Sequence, residues 1–213
     1  MGSNRLSGRG WRFIWIAAAV VVADQLSKYW AVANLTRAFY SSDGAGLSLG
    51  EKVSRFLWLE HPLRDRAIPV LENFWHFRYA ENPGAAWSFL AGAPDWFRTP
   101  FFLVVAVAAM IFIIVYFRKT HPEQTLLQIA LAMIFGGALG NFIDRFRLGY
   151  VIDFIDWHWY ASASWPTFNV ADAGITVGVV LMALDMLIHN EPENAGATQN
   201  KHAGTKKQAK RAS

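Results

Sequence analysis

Three segments crowd into residues 136–172: Gly136-Gly137-Ala-Leu-Gly140-Asn141-Phe-Ile-Asp144-Arg145, then Val151-Ile-Asp153-Phe154, then Phe168-Asn169-Val-Ala171-Asp172. They place carboxylates, amides and one arginine at the end of one apolar segment and the start of the next. Ionisable groups at such depth are costly in lipid and usually functional. The fold depends on what surrounds them.

Of the 213 residues, 54% are hydrophobic and the mean hydropathy is positive, which indicates an integral membrane protein of one domain. Ten Trp and sixteen Phe suggest aromatic belts at the membrane surfaces. The chain has no cysteine, which removes disulfides, thiolate metal sites and a cysteine nucleophile. A net charge of +4, with no interleaving of basic and aromatic residues, argues against a nucleic-acid partner.

Four apolar stretches are expected to span the membrane, at about residues 13–35, 96–117, 125–145 and 168–189. The first follows Arg5, Arg9 and Arg12 and contains Ala31-Val32-Ala33, which has the look of a signal-peptide cleavage site. Asp24 and Lys28 interrupt that pattern, so we read it as a retained helix. Residues 36–95 form an extramembrane, β-rich insertion, with Phe56-Leu-Trp-Leu and Phe74-Trp-His-Phe-Arg-Tyr as strand-like runs. A loop bearing Trp157, Trp159 and Trp165 is expected at an interface. The basic tail 190–213 is expected to be disordered. Cationic segments before the first span, at Arg118-Lys119 and in the tail put both termini in the cytoplasm, and the insertion opposite. The end of the third span and the start of the fourth then meet at one membrane surface.

Spacing groups the polar residues into stripes. Gly137, Asn141 and Arg145 are four apart, Asn169 and Asp172 three apart, and Asp24 and Lys28 four apart, so each set shares a helix face. Asp185 lies about 20 Å further along the fourth helix than Asp172, where an interfacial charge is expected. Structural readings stand beside functional ones. Asp24 with Lys28, or Asp144 with Arg145, could be plain ion pairs. Asn169 could be a helix cap, Asn82-Pro-Gly84 a simple turn, and Asp153 a loop carboxylate. A zinc site is disfavoured because there is no His-Glu-x-x-His and no cysteine, and the six histidines are scattered. A serine nucleophile with Lys28 as base would need a distant serine such as Ser88. Two carboxylates sharing a proton could activate water and polarise a carbonyl.

Taken together, Asp24-Gln-Leu-Ser-Lys28, Asn82-Pro-Gly84-Ala-Ala-Trp87-Ser88, Gly137 to Arg145, Val151-Ile-Asp153-Phe and Phe168 to Asp172 resemble, in order, the motifs of bacterial lipoprotein signal peptidase (signal peptidase II). The resemblance covers residues 13–188. It implies a membrane all-α bundle of four transmembrane helices with a small extracytoplasmic β-sheet. It further implies an inner-membrane aspartyl protease, active near the outer leaflet, that cuts diacylglyceryl-modified prolipoproteins before the lipidated cysteine. By this match Asp153 and Asp172 are catalytic. Asn82, Gly84, Asn141, Arg145, Asn169 and Ala171 position substrate, and Asp24, Lys28, Gly137 and Asp144 support them. No metal or organic cofactor is expected. The partners are lipidated substrate and membrane lipid, and the enzyme is expected to be monomeric. The chain departs from the family in a longer stretch before Asn82 and in Trp87, where phenylalanine is usual.

Overall fold

The computed structural model describes residues 8–41, 46–84, 90, 92–160 and 162–189. Their elements are α1 (Gly8–Leu35), α2 (Leu49–Leu57), β1 (Ile68–Leu71), β2 (Trp75–Asn82), α3 (Asp95–Lys119), α4 (Thr125–Leu148), β3 (Val151–Trp159), β4 (Ala163–Ser164) and α5 (Val170–His189). Helices α1, α3, α4 and α5 are each long and apolar enough to cross a membrane.

Helix α4 is the hub, packed on α1, α3 and α5. Lipid offers no hydrophobic gain for bringing helices together, so small residues and polar ties must do it. A Cβ at Gly136 would sit 2.7 Å from the Ala17 carbonyl of α1, and one at Gly140 2.6 Å from Asp24 Oδ2. About 100° round the same helix from Gly136, Gly137 leaves room for the Ala171 carbonyl of α5. Helix α3 stands outermost and turns Val104, Ile111 and Phe112 outward. Gly149, at φ 77°, ends α4 and donates its N–H to the Arg145 carbonyl, the usual glycine stop of a helix.

The four strands form one antiparallel sheet in the order β1-β2-β3-β4. Only β1 and β2 come from the insertion. Strand β3 comes from the segment between the third and fourth spans, which the tryptophans had marked as an interfacial loop. Its β-branched and aromatic content, Val151-Ile-Asp-Phe-Ile-Asp-Trp-His-Trp, suits a strand. The run Phe56-Leu-Trp-Leu is not a strand, since Phe56 and Leu57 close α2. Ser48 and Glu51 make a capping box, with Ser48 Oγ accepting from the Glu51 N–H and Glu51 returning to the Ser48 N–H, which starts a helix despite the β-prone content. Phe56 and Leu59 join Val32, Leu35, Tyr79, Ile152 and Phe154 in the core that seats the sheet on α1. Asp185 is buried within the protein, at 3% exposure. The expected disordered tail and Trp87 lie outside the described residues.

Candidate active site

Helix α5 begins at Val170, and Asn169 occupies the cap position. Its Oδ1 accepts the Asp172 N–H at 3.0 Å while Asp172 Oδ2 accepts the Asn169 N–H at 3.2 Å. This reciprocal pair is a capping box, and it fixes the Asp172 carboxylate at the positive end of the helix. The cap does more than end the helix. Asn169 Nδ2 donates to Asp153 Oδ1 at 2.6 Å and also lies 3.1 Å from Asn141 Oδ1 and 3.3 Å from the Ile152 carbonyl. One buried asparagine therefore touches both carboxylates, Asp172 on α5 and Asp153 on β3.

The remaining oxygens of the pair are also engaged. Asn82, at the end of β2, donates to Asp153 Oδ2 at 3.0 Å, and Asn141 of α4 donates to Asp172 Oδ1 at 2.8 Å. Asp153 is 2% exposed. Burial first, and the Asp172 charge second, push its carboxyl up to about 7, against the hydrogen bonds from Asn82 and Asn169. A carboxyl so placed holds its proton where an ordinary aspartate has lost it.

Beneath lies a fully buried charge cluster. Lys28 Nζ donates to Asp24 Oδ2 at 2.8 Å and Asn141 Oδ1 at 3.2 Å, and lies 2.8 Å from Asp144 Oδ2, so its three hydrogens all have acceptors. The ammonium is a structural cation and is not free to act as a base. Ser27 Oγ bonds the Asp24 carbonyl, and Ser88 lies outside the described residues. Asp24 Oδ1 takes the Ala171 N–H at 3.0 Å, one of the orphan donors of the α5 first turn. Asp144 Oδ2 takes the Ile152 N–H at 3.2 Å and so joins the end of α4 to β3. The cations beside Asp144 are Lys28 and Arg147, not the adjacent Arg145. Neighbours on a helix point about 100° apart, which explains the change of partner.

Arg145 instead reaches the turn after β2. Its Nη2 donates to the Gly84 carbonyl at 2.9 Å, and its guanidinium lies over the Phe102 ring at 5.1 Å. Gly84 closes that turn by donating its N–H to Asn82 Oδ1 at 3.2 Å. The residues picked out by sequence thus come from α1, β2, α4, β3 and α5 into one polar layer. Two participants were not singled out. Gln25 reaches Asp24 Oδ2, Asp144 Oδ1 and the Gly140 carbonyl, and Arg147 pairs with Asp144 at i,i+3. Spacing signalled Arg147; nothing local marked Gln25.

A model of signal peptidase (SPase) II matches residues 16–188. The chain belongs to the signal peptidase II family. It is 43% identical over 182 residues to the lipoprotein signal peptidase of Anaeromyxobacter sp. (strain Fw109-5), covering 84% of this chain and 85% of that one. The Geobacter sulfurreducens lipoprotein signal peptidase is 52% identical over 122 residues, 57% of this chain and 74% of its own. A solved bacterial membrane enzyme, determined by the in meso method at 2.3 Å, aligns with TM-score 0.61 at 29% identity over 86% of this chain and 93% of its own. A second such structure, at 1.9 Å, gives 0.59 and 28% over 84% and 94%. This signal peptidase II chain is therefore a multi-pass membrane peptidase.

Proposed function

We propose that the chain is an aspartic endopeptidase of the bacterial inner membrane that removes the signal peptide from diacylglyceryl-modified prolipoproteins, cutting before the lipidated cysteine. The observation that carries this reading is Asn169, bonded to Asp153 and Asp172 at once. Two carboxylates tied through one buried amide form a unit that shares a proton, the arrangement aspartic proteases use. The raised Asp153 carboxyl holds that proton and donates it toward the scissile carbonyl. Asp172, anchored by Asn141 and the helix start, takes the proton of the attacking water. Collapse of the tetrahedral intermediate breaks the C–N bond, and the leaving amine takes a proton from the dyad. Carboxylates and water suffice for these steps.

Asn82, Gly84, Asn141, Arg145, Asn169 and Ala171 position dyad and substrate. Arg145, holding the Gly84 carbonyl, keeps the turn after β2 over the site. Asp24, Lys28, Gly137 and Asp144 support the layer from below. The site lies at the membrane level where α4 ends and α5 begins. A diacylglyceryl substrate keeps its acyl chains in lipid and enters sideways. Cations at Arg118-Lys119 and in the tail support cytoplasmic termini and an extracytoplasmic sheet. The enzyme works as a monomer.

Buried Asp and Lys in a span would also suit an ion-coupled carrier, and the sheet could serve a non-catalytic assembly factor. Reconstitution with a lipidated precursor separates these. The expected result is release of the signal peptide from the lipidated precursor and none from its unlipidated form. Ion or solute flux without cleavage would favour a carrier, and neither activity would favour an assembly factor.

A further inference from the structure

Sequence scatters the histidines, but the sheet brings two of them together. His76 on β2 is the direct cross-strand partner of Asp156 on β3, so their side chains share a face. His158 stands two residues further along β3, on the same side as Asp156. The His76 and His158 rings meet at 4.4 Å between centroids, and one donor atom from each of the three residues falls within 4.8 Å of the others. Strands hold these groups, and strands position ligands more firmly than loops do.

Two details favour an ion over a hydrogen-bonded cluster. Nδ1 of His158 is buried without a hydrogen bond, and it lies 3.5 Å from Asp156 Oδ2. That gap is too long for a good hydrogen bond. It matches the spacing of roughly 3.4 Å between donors around a tetrahedral ion whose bonds are roughly 2.0–2.1 Å. The other oxygen, Asp156 Oδ1, is held by Arg78 Nη2 at 3.0 Å, and the same nitrogen lies 3.0 Å from Thr167 Oγ1. The carboxylate is thereby oriented from behind with Oδ2 turned to the histidines, as outer partners orient metal ligands. The Arg78 side chain is 52% exposed, so its charge is shared with solvent as well as with the carboxylate.

We propose that His76, Asp156 and His158 form a binding site for a divalent transition metal ion of the zinc type, with solvent completing the coordination. Two imidazoles and one carboxylate suit zinc and its neighbours over calcium or magnesium, which prefer all-oxygen shells. The ion would staple β2 to β3, the strands that carry Asn82 and Asp153. Its role is structural and lies apart from the dyad chemistry.

The test uses the full-length protein purified in detergent through a tag without histidine, stripped with EDTA and titrated with zinc by calorimetry, with cobalt absorption as a second readout. No thiol competes, since the chain lacks cysteine. Expected is one strong site per chain, together with a rise in the melting temperature on adding zinc. His76→Gln and His158→Gln, which keep side-chain bulk, each weaken zinc binding tenfold or more and abolish the thermal gain. His61→Gln, outside the cluster, changes neither. Absence of zinc binding by the wild type up to millimolar concentration, or unchanged affinity in the His76→Gln/His158→Gln double variant, would overturn the proposal.

Discussion

Asn169 carries more of the site than either aspartate does alone. Its backbone N–H and amide oxygen close the capping box with Asp172, and its amide nitrogen meets Asp153, Asn141 and the Ile152 carbonyl. Asn169→Ala loses the cap, worth about 1 kcal/mol, and strands buried acceptors, each costing about 1–3 kcal/mol. The expected outcome is a clear fall in melting temperature and a kcat at least about a hundredfold lower, the order seen when a positioning donor is lost. Asn169→Asp keeps a capping oxygen but turns a second oxygen onto the acceptors that Nδ2 served, Asp153 Oδ1 among them, so it should restore neither stability nor activity. The proton on Asp153 gives a second check. Its folded carboxyl sits at about 7 against an ordinary 3.8, so the neutral form is favoured in the fold. The resulting stability is complete below about pH 4 and is lost as pH rises through 7, a difference on the order of a few kcal/mol. Asp153→Asn should therefore melt above the wild type at pH 8, with the gap closing toward pH 4. Equal melting curves at pH 8 would argue against a protonated Asp153. The same proton should place the alkaline limb of kcat/KM near 7, since that profile reports the free enzyme.

Among the elements, α4 decides the geometry through residues that lack side chains. Gly140→Val would drive a side chain into Asp24 Oδ2, 2.6 Å from where its Cβ must stand, and so displace the Lys28 cluster. Strain of about 1–3 kcal/mol or more is expected, measured as loss of thermal stability together with activity. Lys28→Met should cost more, roughly 3–5 kcal/mol, because Asp24 and Asp144 are left facing one another with Arg147 alone beside Asp144. A Lys28→Met protein that melts like the wild type would remove the cluster from the framework. The helical stripes were legible because period 3.6 is local: Asp24 with Lys28 and Asn169 with Asp172 could be paired on paper. Strand β3 was not legible. Tryptophans drew its segment toward an interfacial loop, and its pairing with β2 joins residues about 70 to 80 positions apart. Helix α2 had a readable signal in Ser48-Leu-Gly-Glu51, masked by the aromatic residues that follow. Arg145 beside Asp144 suggested a pair because adjacency in sequence resembles proximity, yet successive helix residues diverge.

At the level of the whole molecule, four spans were visible from hydropathy, whereas the meeting of His76 with His158 required the sheet. Orientation can be read directly, since a cysteine-free chain tolerates single-cysteine labelling without background. Glu72 in the β1–β2 turn and Glu123 between α3 and α4 are both exposed. Glu72→Cys should react with an impermeant maleimide in intact spheroplasts, and Glu123→Cys only after permeabilisation; the reverse pattern would invert the topology. The central claim, that Asp153 and Asp172 perform the hydrolysis, is tested most directly by cleavage of a lipid-modified precursor in reconstituted bilayers. Asp153→Asn and Asp172→Asn should each lower the rate at least about a thousandfold while the proteins still melt cooperatively. Wild-type cleavage by either variant would contradict the dyad.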